Sequence, residues 1–292
     1  MPAARGNMFD PVLVSDLINK VRGASALAKL SEQKPIPFNG TKEFTFQMDK
    51  EIDIVAEGGK KTEGGVTLTP VTILPIKFEY GARVSDEFNY ATEDDQIDIL
   101  SAFNDGFSRK VARGIDLAAM HGVNPRSGTA SEVVGTNHFD GKVTNKVVFA
   151  EATPDDNLEA AVAAIEGADG DITGIAMSKL FSSAMAKVKA NGVAQYPEFK
   201  FGANPGSLAG IAVEVNRTVS DMNTVDRAII GDFVNGFKWG YAKEIPMEII
   251  KYGDPDNSGN DLKGHNQVYI RAEVYLGWGI LTPESFIRIT TE

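Results

Sequence analysis

Cysteine is absent from all 292 residues. Its absence excludes disulfides and thiolate metal centres, and it fits a protein made in a reducing cytosol without requiring one. Histidine is scarce. His121, His138 and His265 are the only three, and none is paired at i, i+4, so ordinary surface or capping histidines are expected rather than a zinc site. No run of 18 or more apolar residues occurs, which removes a spanning helix. Residues 1–10 lack a basic stretch followed by an apolar one, so no signal peptide is read. Basic blocks are missing too. Lys and Arg total 29 against 40 Asp and Glu, for a net charge of -11, and phosphate-backbone affinity needs clustered cations.

Enzyme signatures are equally thin. There is no Walker A loop, no Gly-x-Gly-x-x-Gly after a strand and no Gly-x-Ser-x-Gly elbow. Ser31-Glu32-Gln33-Lys34 matches a Ser-x-x-Lys pattern, but it precedes Pro35 and Pro37 and lacks the partner motifs of penicillin-binding enzymes. Asp94-Asp95 reads as a helix start and Asp169-Gly170-Asp171 as a turn, and neither requires acid–base work. Asp254-Pro255-Asp256-Asn257-Ser258-Gly259 approximates the first half of a calcium loop. His265 stands where a bidentate Glu would close it, and no flanking helices are evident, so a solvated turn is the expectation. No catalytic residue, cofactor or metal is expected.

What is present is hydrophobic content of 42%, enough for a packed core. The length leaves one elaborate domain or two open. No internal repeat or low-complexity segment occurs. Residues 42–84 alternate apolar and polar in two legs, Glu43 to Ala56 and Val66 to Tyr80, around the turn region 57–65. Such alternation bounded by glycine clusters predicts a long β-hairpin. Two strands alone are marginal in water, so the hairpin must lie on something, and its charged glycine tip points to another subunit. The bland alternative for Lys60 and Lys61 is solvated charge.

Ahead of the hairpin, residues 1–40 read as an arm with short helical stretches around Leu13–Val21 and Ala24–Leu30. After it, Asp94 to His121 places Ile97, Leu100, Phe103, Phe107, Val111, Ile115 and Ala118 on one helical stripe, with carboxylates at its start and Gly122 as a C-cap. A short hairpin is expected to end at Lys146–Phe149. Helices over 155–168 and 178–190 and strands over 172–177, 211–215 and 227–230 suggest an α/β layer. Strand patterns return at 245–251 and 267–276.

The order of these elements carries a family resemblance. An arm leads to a hairpin with an Ala56-Glu57-Gly58-Gly59-Lys60-Lys61 tip. The return leg runs Pro75-Ile76-Lys77-Phe78-Glu79-Tyr80-Gly81-Ala82-Arg83-Val84-Ser85-Asp86-Glu87-Phe88 straight into a spine helix. Leu208-Ala209-Gly210-Ile211-Ala212-Val213 and Ile229-Ile230-Gly231-Asp232-Phe233 come later. The end reads Val268-Tyr269-Ile270-Arg271-Ala272-Glu273, then Leu281-Thr282-Pro283-Glu284-Ser285-Phe286. Over nearly its whole length the chain resembles the major capsid proteins of tailed double-stranded DNA phages, of the Hong Kong 97 type.

The resemblance implies an α+β fold in four parts. Residues 1–40 would be the N-terminal arm and 41–80 the extended loop. Residues 81–150 and 245–280 would form a peripheral domain with spine helix 94–121 and a long sheet, and 151–244 with 281–292 an axial α/β domain. It implies a structural protein, not an enzyme, that self-assembles as hexamers and pentamers into an icosahedral shell. The shell would enclose phage DNA without sequence-specific binding and without a membrane. Expected partners are further copies of the chain and scaffolding, portal and decoration proteins. The location would be the virion, after synthesis in the host bacterial cytoplasm. Glu57, Gly58, Gly59, Lys60, Lys61 and Glu63 are the candidate inter-subunit residues.

Some members carry a cleaved N-terminal scaffolding segment. Here Met1 leads directly to the arm, so scaffolding is expected to be separate, or the form processed or naturally short. In members that crosslink, a loop Lys joins a neighbour's Asn; Lys60 or Lys61 would be the donor, but no acceptor Asn or promoting Glu is matched, and no crosslink is expected. An encapsulin-type shell is the nearest alternative. A soluble α/β enzyme built on 151–244 is disfavoured by the missing motifs.

Overall fold

A computed structural model describes residues 11–221 and 225–292; the first ten residues of the arm lie outside the described residues. The arm contributes helix α1 (Pro11–Ala24) and helix α2 (Ala26–Leu30), which bury Leu17, Val21, Leu27 and Leu30. Strands β1 (Thr41–Met48) and β2 (Val66–Ile73) pair antiparallel. Strand β3 (Ile76–Ser85) follows, and then helix α3 (Glu93–His121).

Helix α3 is fixed by its ends. The Thr92 hydroxyl accepts from the Asp95 amide and donates to the Asp95 carboxylate, and Gly122 closes the helix in the left-handed region at φ 67°. Its 29 residues span roughly 43 Å at about 1.5 Å per residue. Leu100, Phe107, Val111, Ile115 and Ala118 are buried as the stripe requires, but Ile97 is 54% exposed because the first turns project beyond the core. Gly114 is a close-approach site: a Cβ there would meet the Phe78 ring at 3.1 Å.

Beyond α3 come the short helix α4 (Phe139–Lys142), strand β4 (Lys146–Val148) and helix α5 (Pro154–Glu166). Strand β5 (Gly174–Met177), helix α6 (Lys179–Met185) and a small ribbon of β6 (Lys189–Ala190) and β7 (Val193–Ala194) follow. Strands β8 (Ser207–Leu208), β9 (Ile211–Val215), β10 (Asp226–Gly231), β11 (Phe237–Ile250), β12 (Gln267–Ile280) and β13 (Phe286–Thr290) complete the chain. Six strands form a mixed sheet in the order β4-β13-β10-β5-β9-β8, and three form an antiparallel sheet in the order β11-β12-β3.

Period-2 alternation sorts the six-stranded sheet between two cores. Ala176, Ile229 and Phe286 face the core shared with α3, the arm and the three-stranded sheet. Ile175, Met177, Ala228, Ile230, Ile287 and Ile289 face a second core under α5 and α6. Phe139, Phe233, Phe237 and Phe286 meet at ring separations of 5.1 to 6.1 Å where the first core joins that sheet. Trp239 and Trp278 are register partners across β11 and β12, and both are fully buried.

Several expectations are corrected. The hairpin legs are shorter than the alternation suggests. Ladder pairing stops at Met48 and Val66, and residues 49–65 form no strand. The return leg also breaks, at Leu74-Pro75, because Pro lacks the N–H that continues a ladder; β3 then pairs with β12 instead of β1. Strand β4 does not end a hairpin but lies parallel to β13. Helix α6 stops at Met185, and the chain turns into the β6–β7 ribbon around Asn191 and Gly192, both at positive φ. The strand expected at 245 already begins at Phe237.

Candidate functional site

The candidate interaction surface is the β1–β2 hairpin, and its sequence dictates what it shows. Register sets Phe44 opposite Pro70, Phe46 opposite Leu68 and Met48 opposite Val66, so six apolar residues share one face. Of these, Phe44 is 62% exposed, Phe46 56%, Met48 70%, Val66 53% and Leu68 59%. Ile52 and Ile54, beyond the ladder, are exposed at 90% and 96%. Large contiguous exposed apolar surface marks an interaction site.

The base of the hairpin is anchored. Ile73 is buried against Gly277 and Gly279 of β12, where a Cβ would approach its side chain to 3.3 and 2.8 Å. Lys238 Nζ reaches the Glu43 carboxylate at 2.6 Å. The mouth of the 49–65 loop is closed by the Gly65 amide donating to Asp49 Oδ1 at 2.6 Å and by Lys50 donating to the Glu63 carbonyl at 3.0 Å.

All six tip residues singled out in the sequence are exposed. Gly58 takes φ 77°, a turn conformation suited to glycine, and the Gly59 amide donates to the Ala56 carbonyl at 2.8 Å. Among the described residues, no ion pair joins Glu57, Lys60, Lys61 or Glu63 to a partner. The tip thus offers two cations and two carboxylates that its own chain leaves to solvent.

Two buried polar assemblies hold the platform beneath the hairpin, and sequence reasoning missed both. In the first, Asp116 sits fully buried in the apolar half of α3. It accepts the Ser25 hydroxyl at 2.6 Å, the Ala26 and Leu27 amides at 2.9 and 3.2 Å, and the Thr218 hydroxyl at 2.9 Å. Burial pushes its carboxyl up, against these four donors. A carboxylate inside Ile115-Asp116-Leu117-Ala118 was the available signal.

In the second, Arg288 from β13 joins Asp226 of β10 and Asp140 of α4, each at 2.9 Å. His121, at the end of α3, places Nδ1 3.0 Å from Asp140 and Nε2 2.9 Å from the Thr218 carbonyl. Both ring nitrogens face acceptors, which favours imidazolium. Burial works against that charge, but Asp140, Asp226 and the carbonyl raise the His121 pKa overall. Burial and the neighbouring Asp140 carboxyl raise Asp226, to about 7. Asp140 is held down despite its burial by His121 and Arg288.

The ligand atoms of His121, Asp140 and Asp226 lie within 4.8 Å of one another, a spacing a metal also accepts. Here the guanidinium of Arg288 lies against both carboxylates and supplies the positive charge. His121 thus packs as a buried member of this ionic cluster, while His138 accepts from the Gly141 amide at 3.0 Å and caps α4, as a bland histidine is expected to do.

The calcium-like loop resolves in the same way. Arg83 of β3 donates to Asp254 at 2.6 Å, to Asp256 at 2.5 Å, to the Ser258 hydroxyl at 2.6 Å and to the Asn260 carbonyl at 2.9 Å. A guanidinium stands at the centre of the loop where the sequence pattern suggested a cation.

The sequence matches the phage capsid family over residues 6–291. No curated protein matches. Among solved structures, one from Mycobacterium phage Ogopogo is 31% identical with a TM-score of 0.76, covering 91% of this chain and 92% of that one. One from Gordonia phage Cozz is 24% identical with a TM-score of 0.73, covering 91% and 86%. The capsid of a native GTA particle shares the fold at 14% identity, with a TM-score of 0.64 and 99% and 93% covered.

Proposed function

The chain belongs to the phage capsid family and is a major capsid protein, and from that premise we propose that the β1–β2 hairpin is its principal inter-subunit element. The observation that carries this reading is the apolar face of Phe44, Phe46, Met48, Val66 and Leu68, more than half exposed on a two-stranded ribbon that pairs with no third strand among the described residues. Laid over a neighbouring copy, that face leaves water. At about 25 cal/mol per Å² of apolar surface, five such side chains contribute substantially to each contact. The tip residues Glu57, Lys60, Lys61 and Glu63 then find opposite charges on the neighbour.

In this reading the shell is icosahedral and built of hexamers and pentamers, and it encloses phage DNA without sequence-specific contacts. The arm, the extended loop, a peripheral part built on α3 and the three-stranded sheet, and an axial part built on the six-stranded sheet divide the work. Scaffolding, portal and decoration proteins are the further partners, and synthesis takes place in the host bacterial cytoplasm. The protein acts structurally and carries no catalytic residue. Electron microscopy of the purified protein, expressed alone and with its scaffolding partner, tests the reading. Closed shells or ring-shaped capsomers are expected; single subunits under every condition would overturn it.

A further inference from the structure

Asparagine is followed directly by glycine at three places, Asn39-Gly40, Asn191-Gly192 and Asn235-Gly236. Asparagine is thermolabile, and this pair is its most reactive setting. The glycine amide nitrogen attacks the asparagine side-chain carbonyl, and glycine has no Cβ to obstruct the approach. In a folded chain the reaction needs water, a free asparagine side chain, a free glycine N–H and backbone that can rotate.

The fold treats the three steps differently. The Gly40 amide donates to the Pro37 carbonyl at 2.8 Å. The backbone there is also packed, since a Cβ on Gly40 would meet Leu74 and the Ile73 carbonyl at 2.7 and 2.8 Å. At Asn235-Gly236 both reacting groups are held. Asn235 Nδ2 donates to Asp232 Oδ2 at 2.9 Å, and the Gly236 amide donates to the Asp232 carbonyl at 2.9 Å. Asn191-Gly192 has neither restraint. Both residues are exposed. Among the described residues, no hydrogen bond holds the Asn191 side chain or the Gly192 amide. A Cβ on Gly192 would meet nothing within 4 Å.

The backbone at this third step is free to move as well. Asn191 and Gly192 are the turn of the β6–β7 ribbon, at φ 51° and 81°. Only two register pairs close the ribbon, Lys189 with Ala194 and Ala190 with Val193. None of these four residues is buried, and Val193 is 65% exposed. A two-stranded ribbon on its own is marginal in water. The turn therefore opens locally at little cost, without unfolding the subunit.

We propose that Asn191-Gly192 is a self-modification site, where the chain converts Asn191 to isoaspartate and aspartate with water as the only co-reactant. The Gly192 nitrogen gives its proton to solvent and bonds to Asn191 Cγ. The Cγ–Nδ2 bond breaks, and Nδ2 takes up a proton from water and leaves as ammonia. Water then opens the five-membered imide. Opening at the main-chain carbonyl gives isoaspartate, and opening at the former side-chain carbonyl gives aspartate. Either product adds a carboxylate to a chain already at net charge -11, next to Lys189. Isoaspartate also routes the main chain through the side chain, which lengthens the two-residue turn and breaks the ribbon's register. Copies of different age thus come to differ at one surface turn.

Incubating the full-length dissociated subunit in mildly alkaline buffer tests it, with peptide mapping by mass spectrometry and isoaspartate-specific enzymatic methylation as the readouts. In the folded chain Asn191 should be lost at least about tenfold faster than Asn39 or Asn235, the protection that local hydrogen bonding gives. Raising the pH should speed the loss, because the attacking amide must give up its proton. In urea the three rates should converge, since the sequence step is the same at each. Gly192→Ala adds the obstructing Cβ and should slow the loss of Asn191 at least about tenfold. Loss of Asn191 no faster than that of Asn39 or Asn235 in the folded subunit would overturn the inference. So would an Asn191 rate that Gly192→Ala leaves unchanged.

Discussion

The Thr218 hydroxyl donates to the Asp116 carboxylate at 2.9 Å, joining the C-terminal part of the spine helix to a segment 102 residues later. The Thr218 carbonyl is held in turn by His121, at 2.9 Å. One residue beside the six-stranded sheet is thereby gripped through both its side chain and its backbone by two residues of α3. The same Asp116 caps α2 of the arm. Arm, spine and sheet thus meet at one buried carboxylate, which fixes the platform from which the hairpin projects.

Asp116→Ala is therefore expected to destabilise the subunit by about 3 kcal/mol or more, because each buried donor left without an acceptor costs about 1–3 kcal/mol. Asp116→Asn keeps one acceptor oxygen and should cost less. Urea unfolding of the dissociated subunit measures both. A loss below about 0.5 kcal/mol for the Ala variant would show that the hub is not what joins these elements.

Protonation of the Arg288 cluster gives a pH prediction with a definite sign. His121 has a raised folded-state pKa, so its contribution is complete below about 6.5 and is lost as pH rises through the folded value. Asp226, raised to about 7, binds a proton in the folded chain that the unfolded chain has already released, so stability also falls from about pH 4 up to about pH 7. Asp140 runs the other way, and its contribution disappears only in acid, below its ordinary range. Between pH 5 and pH 8 the cluster should make the subunit less stable as pH rises. Asp226→Asn should flatten that slope in melting temperature. An identical slope in the variant would place the pH dependence elsewhere.

Gly240 of β11 admits the arm. A Cβ there would lie 1.6 Å from the Lys34 carbonyl oxygen, which is backbone and cannot yield without moving the chain. Lys34 and Ile36 donate to the Trp239 and Tyr241 carbonyls at 2.9 and 3.2 Å. Gly240→Ala should expel this stretch from the sheet edge. Hydrogen exchange at the Lys34 and Ile36 amides should then accelerate by at least about tenfold, with β12 still protected. Unchanged protection would contradict the packing.

Exposed charges contribute little to folding, so Lys60→Glu with Lys61→Glu should leave the subunit's melting temperature within about 1 °C of wild type. Assembly should weaken at low salt and recover in part as salt screens the new repulsion over roughly 10 Å at 0.1 M. Light scattering across a salt series reads this. Wild-type assembly at low salt would mean that both lysines are only solvated.

How much of this was legible follows from where each signal resides. Helix α3 was readable to within a residue because Thr92, Asp95 and Gly122 mark its ends locally. Strand β9 was readable to the residue because alternation bounded by turns is also local. The hairpin was overextended because Ile52 and Ile54 continue the alternation without an opposing strand, and exposed apolar residues look like core residues in sequence. The pairing of β3 with β12 instead of β1 depends on matching Ile76 with Leu276, 200 positions away. His121, Asp140, Asp226 and Arg288 leave no sequence trace, since only the fold brings those four together.

The central claim is that the hairpin joins copies and does not hold the subunit together. Replacing residues 50–64 with a two-residue turn, between the last paired residues and the closing pair Asp49 and Gly65, separates the two roles. Electron microscopy and melting of that variant beside wild type make the direct measurement. The account predicts a soluble subunit with an unchanged melting temperature and no closed particles. Closed shells of wild-type diameter from the shortened chain would contradict it.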